Sequence, residues 1–120
     1  TIIFYNKINK NKAKLLKKLK IKIIKTSIDS FGNLDLKEIL IKLKKMGFSR
    51  VFLESGIKLT SSFLKKNLVD DFKLFVSNNR IGKNGMGNIQ KLLNLHFKNK
   101  KKENEKVNLL GDNLVSYKLK

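Results

Sequence analysis

The chain of 120 residues has no cysteine, no proline and no tryptophan, a single alanine (Ala13), a single histidine (His96) and two arginines (Arg50 and Arg80). Without cysteine there can be no disulfide, no thiolate metal site and no cysteine nucleophile. No apolar run approaches the roughly 18 residues needed to cross a bilayer as a helix, and no signal-peptide pattern is present. Acids are scarce as well: 9 against 28 lysines and arginines. The first residue is Thr1 instead of methionine, so the chain is expected to be a fragment or a processed product.

What is present is lysine. The formal net charge is +19 and the pI about 10.3. Such an excess fits a polyanion partner, either nucleic acid or an anionic membrane surface. A plainer account covers the same numbers. Lysine, asparagine and isoleucine have AT-rich codons, and the depleted residues mostly have GC-rich ones. Genome composition therefore supplies lysine wherever a solvated residue is tolerated. Two arginines are also few for the bidentate contacts that nucleic-acid readers use. A length of 120 residues and an apolar fraction of 41% bound the chain to about one domain with a modest core.

Ile2 to Tyr5 (IIFY) and residues 21–25 (IKIIK) read as short β-branched strands separated by a helix near Lys12 to Leu19. Leu36, Ile39, Leu40, Leu43 and Met46 fall on one helical stripe. Asp35 is its N-cap, Glu38 completes a capping-box pattern and Gly47 follows its last turn. A third strand is expected at Arg50 to Glu54, a second amphipathic helix at about Lys58 to Lys66 and a fourth strand at about Asp71 to Val76. Alternating strands and helices with short connections indicate parallel βαβ units. Beyond Gly82 come the KNGMGN loop, a short helical turn at IQKLLN and, over LHFKNKKKENEKVNLLGDNLVSYKLK, antiparallel strands, with GDN near Gly111 inside or beside a turn and His96 on a strand surface.

The stretch RVFLESGIKLTSSFLKK, residues 50–66, carries the chemistry. A glycine behind a strand lets backbone approach a ligand closely. A helix starting there aims free N–H groups and the positive end of its dipole at that ligand. Lys58, Thr60, Ser61 and Ser62 in the first turns add a charge and hydroxyl donors. A phosphate or pyrophosphate suits such a place, although a lone Ser-Gly before a helix is also an ordinary tight turn. There is no G-x-G-x-x-G fingerprint and no Walker motif. Glu54, closing the apolar strand, is placed for the polar groups of a second molecule; the alternative is an exposed acid paired with one of many lysines.

These residues resemble the C-terminal reductase part of the bifunctional riboflavin-biosynthesis deaminase–reductase. That family has a strand ending in Val-Glu-Gly-Gly, then a leucine, a Ser-Phe-Leu-like helix and Gly-Leu-Val-Asp-Glu before a strand. Glu54, Gly56, Leu59, Ser62-Phe63-Leu64 and Leu68-Val69-Asp70 match it. The likeness extends upstream through NLDLKEILIKLKKMGFSRV and downstream to Ile81-Gly82 and LLGDNLVSYKLK.

The resemblance implies a dihydrofolate-reductase-like α/β fold: a central, mostly parallel sheet with flanking helices and antiparallel strands at the C-terminus. Residues 1–120 would form the C-terminal portion of the reductase domain, without the deaminase domain and the first reductase strands. It also implies NADPH-dependent reduction of 5-amino-6-(5-phosphoribosylamino)uracil to its ribitylamino product. Glu54 would contact the substrate, and Gly56, Ile57, Lys58, Leu59, Thr60, Ser61 and Ser62 would wrap the cofactor phosphates. The partners it implies are a small-molecule substrate, no specific nucleic acid, no membrane and, in the full-length form, further copies of itself, in the cytoplasm. No metal and no catalytic side chain are assigned, because the hydride chemistry belongs to the cofactor.

Ser55 departs from the family's first glycine, Asn78 from a usual proline and Arg80 from an aliphatic residue. Deamination is excluded, since its zinc site needs H-x-E and P-C-x-x-C. Two other readings stand beside this one: another reductase of the same fold acting on, for example, a pteridine, and a basic nucleic-acid-binding protein. The 120 residues alone are expected to be inactive and marginally stable or self-associating, with a strand edge and a core face uncovered.

Overall fold

The computed structural model describes residues 1–79, 82, 90–107 and 110–120. The chain divides into two units, Thr1–Phe52 and Leu53–Lys120.

The first unit is a βαβ turn followed by a helix. Strands β1 (Ile2–Tyr5) and β2 (Lys22–Lys25) pair in parallel, from Ile2 opposite Lys22 to Tyr5 opposite Lys25. Helix α1 (Lys10–Lys18) makes the crossover, and the Asn9 side chain caps it by accepting from the Lys12 amide at 2.7 Å. The helix stops in a Schellman closure: the Lys20 N–H reaches the Lys17 carbonyl and the Ile21 N–H reaches the Leu16 carbonyl. Lys20 takes the left-handed conformation there, at φ 54°.

Helix α2 (Leu36–Lys45) carries the predicted stripe, with Leu36 buried and Ile39, Leu40, Leu43 and Met46 half-buried. Asp35 caps it as expected, accepting from the Lys37 and Glu38 amides. Gly47 ends it at φ 92°, donating to Lys44 while Phe48 donates to Leu43. The reciprocal half of the capping box is not made. The Glu38 carboxylate instead accepts from the Ser27 amide at 2.7 Å and from the Ser27 hydroxyl, and pairs with Lys42. Lys42 in turn donates to the Lys25 carbonyl. Thr26, the most buried polar residue described at 2% exposure, donates its amide to the Tyr5 carbonyl and accepts from the Asn6 side chain at 3.0 Å. The end of β2 is thus tied to both β1 and α2 by polar groups.

The expected strand at Arg50 to Glu54 is not formed. Its sequence has strand propensity, but a strand exists only where a neighbour completes the ladder. No described strand pairs with it, and Val51 and Phe52 are 49% and 82% exposed.

In the second unit, α3 (Ile57–Lys65) leads to β3 (Asp71–Val76), α4 (Gln90–Phe97), β4 (Lys102–Glu105) and β5 (Asn113–Lys118). The sheet order is β3-β5-β4, antiparallel throughout. Asn67, at φ 53°, closes α3 with the same Schellman pattern that ends α1 and α2. Leu64, Leu92 and Phe97 form the core, with Val69, Phe72, Leu93, Tyr117 and Leu119 against it. Phe97 meets Phe72 at 4.8 Å and Tyr117 at 4.7 Å between ring centroids, tilted in both cases.

The expected mixed α/β class holds, with parallel strands, C-terminal antiparallel strands and helices. Two details differ from the expected parallel series. The strand at Asp71–Val76 has the predicted bounds but joins the antiparallel sheet. Leu95, His96 and Phe97 lie in α4 instead of on a strand, because Leu92, Leu93, His96 and Phe97 recur at helical spacing and turn Leu92 and Phe97 into the core. The expected KNGMGN loop, Arg80 and Ile81 lie outside the described residues.

Candidate functional site

The predicted site residues all fall in the second unit, on the bend before α3 and on its first two turns. Helix α3 begins where Gly56 takes an extended conformation, φ −66° and ψ 166°, and the first helical bond runs from the Thr60 amide to the Gly56 carbonyl at 3.2 Å. Gly56 has no side chain to act as an acceptor, and no other side chain caps this helix start. The amides of Ile57, Lys58 and Leu59 therefore face outward with neither an intrahelical partner nor a cap. Glu54, Ser55, Gly56, Ile57, Lys58 and Leu59 are exposed, whereas Thr60, Ser61 and Ser62 are half-buried.

Gly56 is not there for a left-handed turn. Its φ is open to any residue, and a Cβ built on it would meet nothing within 4 Å. Ser55, which stands where the family has its first glycine, is not in the positive-φ region either, so its backbone does not require a glycine.

The hydroxyls of Ser55, Thr60 and Ser62 are committed locally. Ser62 donates to the Lys58 carbonyl at 3.0 Å, and Thr60 is placed to donate to the Ser55 carbonyl at 3.3 Å. The Ser55 and Thr60 hydroxyls also bond each other at 3.0 Å across the start of the helix. The donors left for an anion are thus the three amides, the Ser61 hydroxyl and the Lys58 ammonium. The Ser55–Thr60 bridge was not legible in the sequence; its only trace is a pair of hydroxyl residues five positions apart astride a helix start.

Glu54 stands one residue before this bend, at the end of an unpaired segment instead of a strand, so its placement at the carboxyl edge of a parallel sheet is not made here. The ion pairs of the described residues, Lys42–Glu38, Lys73–Glu105, Lys101–Glu103 and Lys120–Asp70, do not include it. The alternative of a lysine-paired Glu54 is therefore not realised among the described residues. Two surface depressions of the second unit lie elsewhere. One is lined by Leu93, Asn94, Phe97, Lys98 and Tyr117, the other by residues around the β4–β5 turn. His96, the only histidine, sits in α4 with its Nε2 buried and without a hydrogen-bond partner among the described residues.

An uncapped helix start behind a glycine, in a mixed α/β chain, is an arrangement found in nucleotide-using enzymes. The RibD C-terminal domain family matches residues 1–110, and the chain belongs to that family. Membership gives it a reductase-type function in riboflavin biosynthesis. No curated protein matches the chain.

Proposed function

We propose that this chain supplies the cofactor-phosphate grip and one substrate contact of an NADPH-dependent reductase acting on 5-amino-6-(5-phosphoribosylamino)uracil. The observation that carries the reading is the exposed, uncapped start of α3 at Gly56, with Glu54 two residues before it. The residues fit a dinucleotide phosphate. Three amides and the positive end of a nine-residue helix converge on a position where no side chain intrudes, and Lys58 adds a mobile cation.

When bound, NADPH supplies a hydride for the ribose C1′ of the substrate. The chain's own residues position the two reactants. The Ile57, Lys58 and Leu59 amides and the Lys58 ammonium hold phosphate. The Ser55–Thr60 bridge fixes the bend, so those amides are aimed before the ligand arrives. Glu54 accepts hydrogen bonds from the N–H or hydroxyl groups of the sugar-bearing pyrimidine.

Gly56→Ala is the sharpest test, because the fold has room for the added methyl. Its cost to stability stays below about 1 kcal/mol, the difference between glycine and alanine as an N-cap. Obstructing one charge-assisted amide bond to phosphate costs about 1.5–3 kcal/mol, which is a loss of NADPH affinity of about ten- to a hundredfold. Fluorescence titration of NADPH into the protein reads this directly, and an unchanged affinity defeats the phosphate assignment. In the full-length form, Glu54→Gln is expected to leave NADPH affinity alone and to lower turnover of the aminouracil sharply. Unaltered turnover and substrate binding in that variant would remove Glu54 from the site. A pteridine reduced in preference to the aminouracil would keep the grip and change the substrate.

A further inference from the structure

Nine lysines and no acid precede Asp29, the first carboxylate of the chain. Composition alone explains lysines spread along a chain; it does not explain how α1 is arranged. Lys10, Lys14 and Lys18 stand at i, i+4 and i+8, so they form one row along the helix, and all three are exposed. Like charges at this spacing destabilise a helix. No acid lies in its first turn to relieve them, and no ion pair among the described residues involves an α1 lysine. Beside this row run Leu15 and Leu19, also i and i+4, at 57% and 61% exposure. The inward side is taken by the half-buried Ala13 and Leu16. The helix thus offers solvent a cationic row with an apolar pair next to it.

We propose that α1 docks on an anionic phospholipid surface. The lysine row meets the headgroup phosphates, and Leu15 and Leu19 enter the boundary between headgroups and acyl chains. Charge complementarity demands a polyanion. The leucines decide which one, because a nucleic-acid backbone offers phosphates but nothing for two outward leucines to enter. Lysine without arginine also suits diffuse attraction to headgroups better than bidentate base or phosphate recognition. Such contact lies on the membrane, and no described helix is long and apolar enough to cross one.

The test is co-sedimentation of the full chain with vesicles of phosphatidylcholine alone and of phosphatidylcholine mixed with phosphatidylglycerol. Three triple or double variants go with it: Lys10→Gln/Lys14→Gln/Lys18→Gln, Leu15→Gln/Leu19→Gln, and a control of equal charge change on α2, Lys37→Gln/Lys44→Gln/Lys45→Gln. Glutamine keeps helix propensity close to that of the residues replaced, and circular dichroism verifies that each variant is folded. The proposal expects binding only to the mixed vesicles. It expects a loss of at least about tenfold in the α1 lysine and the α1 leucine variants, and less than about twofold in the control. Equal loss in the control would reduce the effect to bulk charge and overturn it. So would an unchanged leucine variant, which leaves pure electrostatics that a nucleic acid serves equally well. A leucine variant that alters sedimentation mass in solution would assign the pair to contact between copies and also overturn it.

Discussion

The two units of this chain are built on opposite principles. In Thr1–Phe52 the described residues give one buried apolar side chain, Leu36, and the elements are joined by polar groups: Thr26 to Tyr5 and Asn6, Ser27 to Glu38, Lys42 to Lys25. In Leu53–Lys120 the elements are joined by apolar packing, with Phe72, Phe97 and Tyr117 at the centre. Hydrogen bonds exchange with water on unfolding and return about 1 kcal/mol each, whereas a buried aromatic returns several. The second unit is therefore the one able to hold the proposed phosphate-binding bend in a fixed geometry, and Gly56 to Ser62 belong to it.

The largest expected effect comes from removing the centre of that packing. Phe97, 5% exposed, should cost about 3–5 kcal/mol when changed to alanine. In amide hydrogen exchange this should accelerate the β3, β4 and β5 amides and spare β1 and β2. If β1 and β2 open equally, the two units fold as one and the contrast fails.

A smaller effect should come from Asn6→Ala, which takes the side-chain donor from the Thr26 carbonyl and should cost about 1 kcal/mol. Here the exchange pattern should invert, with β1 and β2 accelerated. A loss of several kcal/mol in the urea midpoint would mean the first unit has no redundancy in its polar links.

The smallest effect should come from Glu38→Gln, because its ion pair with Lys42 is only half-buried and Ser27 is exposed. Hydrogen bonds from Lys42, then from the Ser27 hydroxyl and amide, hold the Glu38 carboxyl at about 2, below its ordinary 4.5. A lowered folded value means the carboxylate's contribution is fully present above 4.5 and is lost as pH falls from 4.5 towards 2. Acid unfolding followed by circular dichroism should therefore be shallower across that window in the variant. An identical acid branch would show that Glu38 is not held by these bonds in solution.

The same contrast explains what could be seen in advance. Helix α2 was legible because its information is local: a 3.6-residue apolar period, an aspartate before it and a glycine after it. The bounds of β3 were legible for the same reason, but its partner was not, since the β5 residues it pairs with lie between 37 residues (Val76 to Asn113) and 47 residues (Asp71 to Lys118) further along the chain. Residues 50–54 failed in the same way: propensity was present and a neighbour was not. At the candidate site, the bend and the helix start could be read from Glu54, Ser55 and Gly56. The committed hydroxyls of Thr60 and Ser62 could not, because a side chain's choice between a backbone carbonyl and an outside ligand depends on its rotamer.

Among β3, β4 and β5, the strand synthesised last occupies the middle. The outer strands share no ladder bond, only the Lys73–Glu105 ion pair, so on the ribosome both wait for residues 113–118 to emerge before a single ladder bond of this sheet can form. At about 5–20 residues per second that wait lasts seconds, during which Phe72 and Phe97 are open to other nascent chains. A premature stop before Asn113 would therefore release a polypeptide whose β3 and β4 segments have no strand to pair with, leaving β1–β2 as the sheet that can form.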